Sequence, residues 1–264
     1  MSRSVTPAFL PFLLPHLQEG MDILDAGCGV GSIALDLAPK VAPGRIFGVD
    51  IDPMQIEVAR RSAAEREVDN VEFHTASLYE LPFGDASFDI VYSNAVLMYL
   101  SKRVRALAET RRVLRPGGLA AVIDDDHSTV VISPDCPELL LAFCLFARVV
   151  SQRGGYVNYS RGLRGLMLKA GFARTQGVAN APEVYADAAT TRWFADLQVE
   201  LLSDAGVGGA ITGEGWVSRA DLDSVVAALC RWADRPDAFV AWPYCGALGR
   251  VSESNSASVA ASPG

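Results

Sequence analysis

Asp25, Gly27, Gly29 and Gly31 alternate along the run I-L-D-A-G-C-G-V-G-S, between an apolar stretch and the amphipathic pattern of Ile33, Leu35 and Leu37. Glycines at this density let a backbone reverse from strand to helix and come close to a ligand, because side chains would forbid the dihedrals or fill the approach. Asp50 ends the apolar run R-I-F-G-V-D, 23 positions after Gly27. That is near the roughly 20-residue offset at which a carboxylate meets a ribose diol and accepts from both hydroxyls. The competing role for an acid here is a helix cap, which Asp52 fits better because Pro53 follows it. A third group, Asp124-Asp125-Asp126-His127, sets carboxylates beside a side chain that titrates near neutrality, a combination able to move protons.

These groups need elements to hold them. Apolar runs at Ile23 to Asp25, Arg45 to Asp50, Asn70 to His74, Ser87 to Ser93 and Leu119 to Ile123 alternate with helical patterns, which predicts an α/β fold: a parallel sheet with helices on both faces. Open sheets of this kind bind ligands at the carboxyl ends of their strands, where all three groups fall. Pro53 to about Glu67 and Ser101 to Leu114 read as helices, and Pro134 to Ala170 as a helix in two pieces broken at Gly154-Gly155. A sixth strand follows Gly171-Phe172 and the last spans Ala238 to Leu248. Between them lies an insertion of two helices, near Thr190 to Leu202 and Ser218 to Ala233, the second opened by a near capping box of Ser218 and Asp221. The intervening G-V-G-G-A-I-T-G-E-G-W reads as a flexible loop. A proline-broken helix over 6–18, carrying His16, precedes the first strand.

The chain has a net charge of −8 and no basic stripe, which argues against nucleic acid as a partner. Five cysteines without C-x-x-C spacing and three scattered histidines give no zinc pattern. Three consecutive acids invite a magnesium reading, but alternation along a strand sends neighbours to opposite faces and no further oxygen ligands are identifiable, so no metal is assigned. Ala8 to Leu14 is short and interrupted by Pro11, and Leu139 to Val150 is shorter than the roughly 18 residues of a membrane span, so a cytoplasmic protein is expected. We expect one domain over 1–250, with a helical lid at about 185–236, and a disordered tail at 251–264.

The D-x-G-x-G-x-G loop with Asp50, the turn L-P-F (81–83) ahead of S-F-D-I-V (87–91), and R-V-L-R-P-G-G (112–118) together resemble class I S-adenosylmethionine-dependent methyltransferases of the ubiquinone and menaquinone biosynthesis type. The resemblance implies a Rossmann-like, mostly parallel seven-stranded sheet with the last strand antiparallel. It places Asp25, Gly27, Gly29, Gly31, Asp50, Ile51, Ser77, Leu78 and Asn94 in the cofactor site. Ser77 stands where the family usually has aspartate to accept from the adenine amino group, and a neutral acceptor contributes less. The Leu78 N–H would bind the ring. Met98 stands where many relatives carry histidine, which removes one general base. Tyr99 reads equally as pocket wall or as cover over a helix start. Relatives have an aspartate pair spaced like Asp124 and Asp126, so these two are catalytic candidates with His127 as base, against the alternative that they hydrogen-bond loop backbone. The S-R-A-D-L-D helix (218–223) and Trp242-Pro243 extend the likeness to roughly residues 10 to 250.

The expected activity is methyl transfer from S-adenosyl-L-methionine to a small molecule, an in-line displacement in which alignment and exclusion of water supply most of the catalysis. Trp193, Phe194, Trp216 and Trp232 in the insertion, with the apolar run Leu139 to Val150, suit an apolar or aromatic acceptor, and equally suit plain core packing. Two other readings stand beside it. One is a protein of this fold that binds the cofactor without transferring methyl, as a cyclase or binding module. The other is a nicotinamide-dependent oxidoreductase, disfavoured because the third glycine would then fall at Ser32. The atom methylated and the oligomeric state, a homodimer among the options, stay open.

Overall fold

In a computed structural model, which describes residues 11–253, β1 (Ile23–Ala26), β2 (Ile46–Asp50), β3 (Val71–Thr75), β4 (Phe88–Asn94) and β5 (Leu114–Asp125) form a parallel sheet in the order β3-β2-β1-β4-β5. Parallel neighbours cannot be joined by a hairpin. Accordingly α1 (Ser32–Val41) joins β1 to β2, α2 (Pro53–Glu65) joins β2 to β3, and α3 (Arg103–Val113) joins β4 to β5. Beyond β5 come β6 (Val131–Ser133), α4 (Pro137–Gln152), α5 (Leu163–Lys169), β7 (Arg174–Tyr185), α6 (Ala188–Ser203), α7 (Gly208–Gly213), α8 (Arg219–Ala233) and β8 (Phe239–Arg250). β8 runs antiparallel to β5, with β7 on its far edge. The expected architecture is therefore present, with the insertion as α6 to α8.

Three details differ from expectation. The sheet has an eighth strand, β6, which continues the β5 edge by pairing with the start of β8 (Ile132 opposite Val240). Pro116-Gly117-Gly118 is not a turn before β5 but an irregularity within it: pairing begins at Phe88 with Leu114, then shifts register before Ile90 meets Leu119, and Gly117 takes φ 78° to allow it. The glycine-rich loop of the insertion contains α7, because Asp204 Oδ1 accepts from the N–H groups of Gly206 and Val207 while Ile211 is fully buried. The amino-terminal helix reduces to one 3-10 turn at Leu14–His16; residues 6–10, and the tail from 254 onward, lie outside the described residues.

The strands read as apolar runs because both faces are covered. Alternation divides the sheet's side chains between two cores. Ile23, Ile90, Tyr92, Leu119, Ala121 and Ile123 pack on one face with α1, α2, α4, α6 and α8. Leu24, Val91, Ala120 and Val122 pack on the other with α3 and α5. This parity decides where the acids at the end of β5 point. Among the described residues no helix is long and apolar enough to cross a membrane.

Candidate active site

The glycine loop uses its three glycines differently. All have positive φ, at 89°, 51° and 77° for Gly27, Gly29 and Gly31. A Cβ on Gly27 would lie 2.3 Å from Val96 Cγ2 and one on Gly31 would lie 2.7 Å from Phe73 Cζ, so those two permit close packing. A Cβ on Gly29 would meet nothing nearer than Gln55 Oε1 at 3.9 Å, leaving space above the loop for a ligand. The Gly29 N–H donates to Asp50 Oδ2 and the Asp52 N–H to Asp50 Oδ1, each at 3.0 Å, so the Asp50 carboxylate is held by backbone with lone pairs to spare. Asp52 is a helix cap, accepting from the Met54 N–H at 2.8 Å. Ile51, next to Asp50, is exposed.

Beneath the loop Asp25 is buried, and its Oδ2 has no hydrogen-bond partner. Burial, and then the nearby Asp50 charge, pushes its carboxyl up to about 7. The Cys28 thiol is raised by the same burial and by Asp25 and Asp50, which makes it inert. The Ala76 N–H donates to the Asp50 carbonyl at 2.8 Å, tying the turn of Ser77 and buried Leu78 to the end of β2. Ser77 Oγ accepts from the Tyr79 N–H at 3.2 Å, which leaves the hydroxyl one lone pair and its proton. At the end of β4, Asn94 Oδ1 is also buried without a partner. A fixed carboxylate, open space over Gly29 and two acceptors with no protein donor suit a nucleoside that carries an amino-acid arm. Its diol would go to Asp50 and its ammonium to the orphaned acceptors.

The β4 turn joins this loop to a cavity of about 270 Å³. Val96 packs on Gly27 while its neighbour Ala95, at φ 55°, lines the cavity. The walls are largely aromatic, from Phe143 and Phe146 on α4, Trp193 and Phe194 on α6, and Trp242 on β8. Asp125 and His127 are also on the wall. His127 Nε2 lies 2.8 Å from Asp125 Oδ2, and the imidazole stacks on Phe146 (centroids 5.4 Å apart) with Trp242 edge-on at 5.0 Å. Both ring nitrogens are buried and neither makes an aligned hydrogen bond. The Asp125 side chain keeps 14% of its surface exposed against 7% for His127, so the carboxylate is the more accessible member of the pair. Tyr99 and Trp193 are about half exposed at the cavity, where the Trp193 ring stacks on Tyr185. Protein packed around the Tyr99 hydroxyl, with Asp125 and Asp124 near it, pushes it up to about 12, so it keeps its proton at neutral pH.

Residues 24–122 match the family described as "Methyltransferase domain". The matched segment runs from β1 into β5 and holds the glycine loop and Asp50. An uncharacterized methyltransferase of Schizosaccharomyces pombe is 29% identical over 196 residues, covering 72% of this chain and 70% of that protein. The demethylmenaquinone methyltransferase of Lactococcus lactis is 35% identical over 121 residues, covering 46% of this chain and 48% of that protein. Two further relatives are covered over 61% and 29% of their lengths. Among solved structures, the [4+2]-cyclase SpnF superposes with a TM-score of 0.55 over 90% of this chain and 78% of that one, at 23% identity, a likeness of fold. The residues around the glycine loop fit S-adenosyl-L-methionine, the cofactor expected from the sequence: Asp50 suits its ribose diol, and Asp25 and Asn94 its ammonium.

The fold brings Asp25, Gly27, Gly29, Gly31, Asp50, Ile51, Ser77, Leu78 and Asn94 to the carboxyl edge of one sheet, and Met98, Tyr99 and Trp193 to the cavity. It does not bring Asp124 and Asp126 there. Asp124 shares the parity of Ala120 and Val122, is fully buried, and accepts from the Tyr159 hydroxyl on the opposite face. Burial and the Asp125 charge raise its carboxyl well above the usual range, against the Tyr159 hydrogen bond. Asp126 accepts from Arg161 Nε at 2.8 Å and from the Ser128 N–H at 3.0 Å, and these bonds hold its carboxyl below the usual range against the penalty of burial. It anchors the loop, as the alternative reading of that pair has it. The acid that faces the cavity is Asp125, two residues before His127 and so on the same side of the chain. That period was the signal available in the sequence.

Proposed function

We propose that this chain transfers a methyl group from S-adenosyl-L-methionine to a small apolar or aromatic molecule held in the cavity. The observation that carries the proposal is the shared β4 turn: Val96 closes on the cofactor loop and Ala95 opens on the cavity, so donor and acceptor sites have a common wall. The cofactor, when bound, supplies a methyl group on a sulfonium with a good leaving group. The chain's part is to hold the acceptor in line and keep water out, which the aromatic walls favour. The Asp125–His127 pair takes the proton that a hydroxyl or amine acceptor must lose: Asp125, the more accessible member, meets the acceptor, with His127 Nε2 2.8 Å from its Oδ2. The menaquinone-type subtype rests on L-P-F, S-F-D-I-V and the likeness to the Lactococcus enzyme over the domain alone.

The test is label transfer from methyl-tritiated S-adenosylmethionine to a panel of phenols, hydroxyquinones and aryl amines. Asp125→Asn is expected to lower kcat about 100-fold, the scale of a lost general base, with affinity for S-adenosylhomocysteine unchanged. Product binding without transfer to any panel member would instead favour the reading of a cofactor-binding protein that does not methylate.

A further inference from the structure

Gln198 belongs to a stripe of α6 made by Phe194, Leu197, Gln198 and Leu201, all of which line the cavity at helical spacing. It is the polar member of an apolar set. The residue is 7% exposed, yet among the described residues no hydrogen bond joins its amide to any protein partner. Buried side-chain amides are nearly always paired, and this one, whose polar atoms are not among those sealed from solvent without a partner, is left for water or a ligand in the cavity. Leucine would fill the same place on the stripe with no polar end. Gln198 lines the cavity from α6, and Asp125 reaches the same cavity from the end of β5.

We propose that Gln198 is a specificity-determining residue of the acceptor site, and that the acceptor is a hydroxyarene bearing a second hydrogen-bonding group, a ring carbonyl or its equivalent, which Gln198 reads. The proposal rests on the methyl-transfer reading and names its substrate class. The aromatic walls take the ring, and Gln198 takes the carbonyl through its NH₂. The Asp125–His127 pair takes the hydroxyl proton. The balance of the step follows: the oxygen–methyl bond forms as the sulfur–methyl bond breaks, the electron pair of that bond stays on sulfur, and the hydroxyl proton goes to the pair.

The experiment is calorimetric titration in the presence of saturating S-adenosylhomocysteine, using a hydroxytetralone and the tetrahydronaphthol that lacks only its carbonyl. The wild type is expected to bind the hydroxytetralone about tenfold more tightly, the value of one well-made hydrogen bond to a desolvated partner. Gln198→Leu is expected to bind the two compounds equally and to melt no lower than the wild type, because it removes an unpaired amide. Equal binding of both compounds by the wild type, binding of neither, or a Gln198→Leu variant that keeps the preference would overturn the proposal. Failure to bind S-adenosylhomocysteine itself would overturn the methyl-transfer reading beneath it, which separates the two failures.

Discussion

Asp25 makes stability and cofactor binding depend on pH in a calculable way. Its carboxyl is buried under the glycine loop, unpartnered at Oδ2, and raised from 3.8 to about 7 by burial and by Asp50. A carboxyl raised in this way keeps its proton in the folded state at pH values where the unfolded chain has already released it. Its contribution to stability is therefore complete below about pH 4 and is lost as pH rises through about 7. The span from 3.8 to about 7 corresponds to about 4 kcal/mol. Asp25→Asn cannot ionise, so the difference in unfolding free energy between wild type and variant should move by about 4 kcal/mol in favour of the variant between about pH 4 and about pH 8. Taking the difference cancels acids shifted the other way, such as Asp126. Urea unfolding at a series of pH values measures it. A ligand ammonium at Oδ2 stabilises the ionised form, so S-adenosylhomocysteine should release a proton on binding and bind more weakly below pH 7, by up to about tenfold per pH unit. Calorimetry in two buffers of different ionisation enthalpy reads that proton. Parallel pH profiles for the two proteins, with no proton released, would refute the placement of Asp25.

Two further variants probe the frame around the site. Gly27→Ala sets a methyl against Val96 at a φ of 89° and should lower stability by about 2–4 kcal/mol in urea unfolding; a fully stable variant would mean that Val96 does not hold the loop. Asp126→Asn should lower stability by about 1–3 kcal/mol by weakening its bonds to Arg161 and Ser128, with the Kd for S-adenosylhomocysteine unchanged; a selective loss of transfer at full stability would return Asp126 to the catalytic set.

The glycine loop and Asp50 were legible in the sequence because local requirements fix them: positive φ at Gly27, Gly29 and Gly31, and a carboxylate at a strand end within reach of the Gly29 N–H. Helix starts at Pro53 and Arg219 were legible for the same reason, since Asp52 and Ser218 cap within their own turns. The acid pair at the end of β5 was misplaced because spacing in relatives favoured Asp124 and Asp126, whereas strand parity sends Asp124 to the Tyr159 face and leaves Asp125 beside His127. Gln198 could not be singled out, because a polar residue in an apolar stripe gains meaning only when the stripe is seen to face a cavity rather than the core. β6 escaped notice because three residues hold their conformation through pairing with Phe239 to Ala241, a contact distant in sequence.

The measurement that bears most directly on the central claim is calorimetric titration of the intact protein with S-adenosylhomocysteine, run beside NAD and repeated on Asp50→Asn. Saturable binding of S-adenosylhomocysteine alone is expected, weakened about 100-fold in the variant as the bidentate acceptor for the ribose diol is halved. Binding of NAD, or an affinity for S-adenosylhomocysteine that Asp50→Asn leaves unchanged, would contradict it.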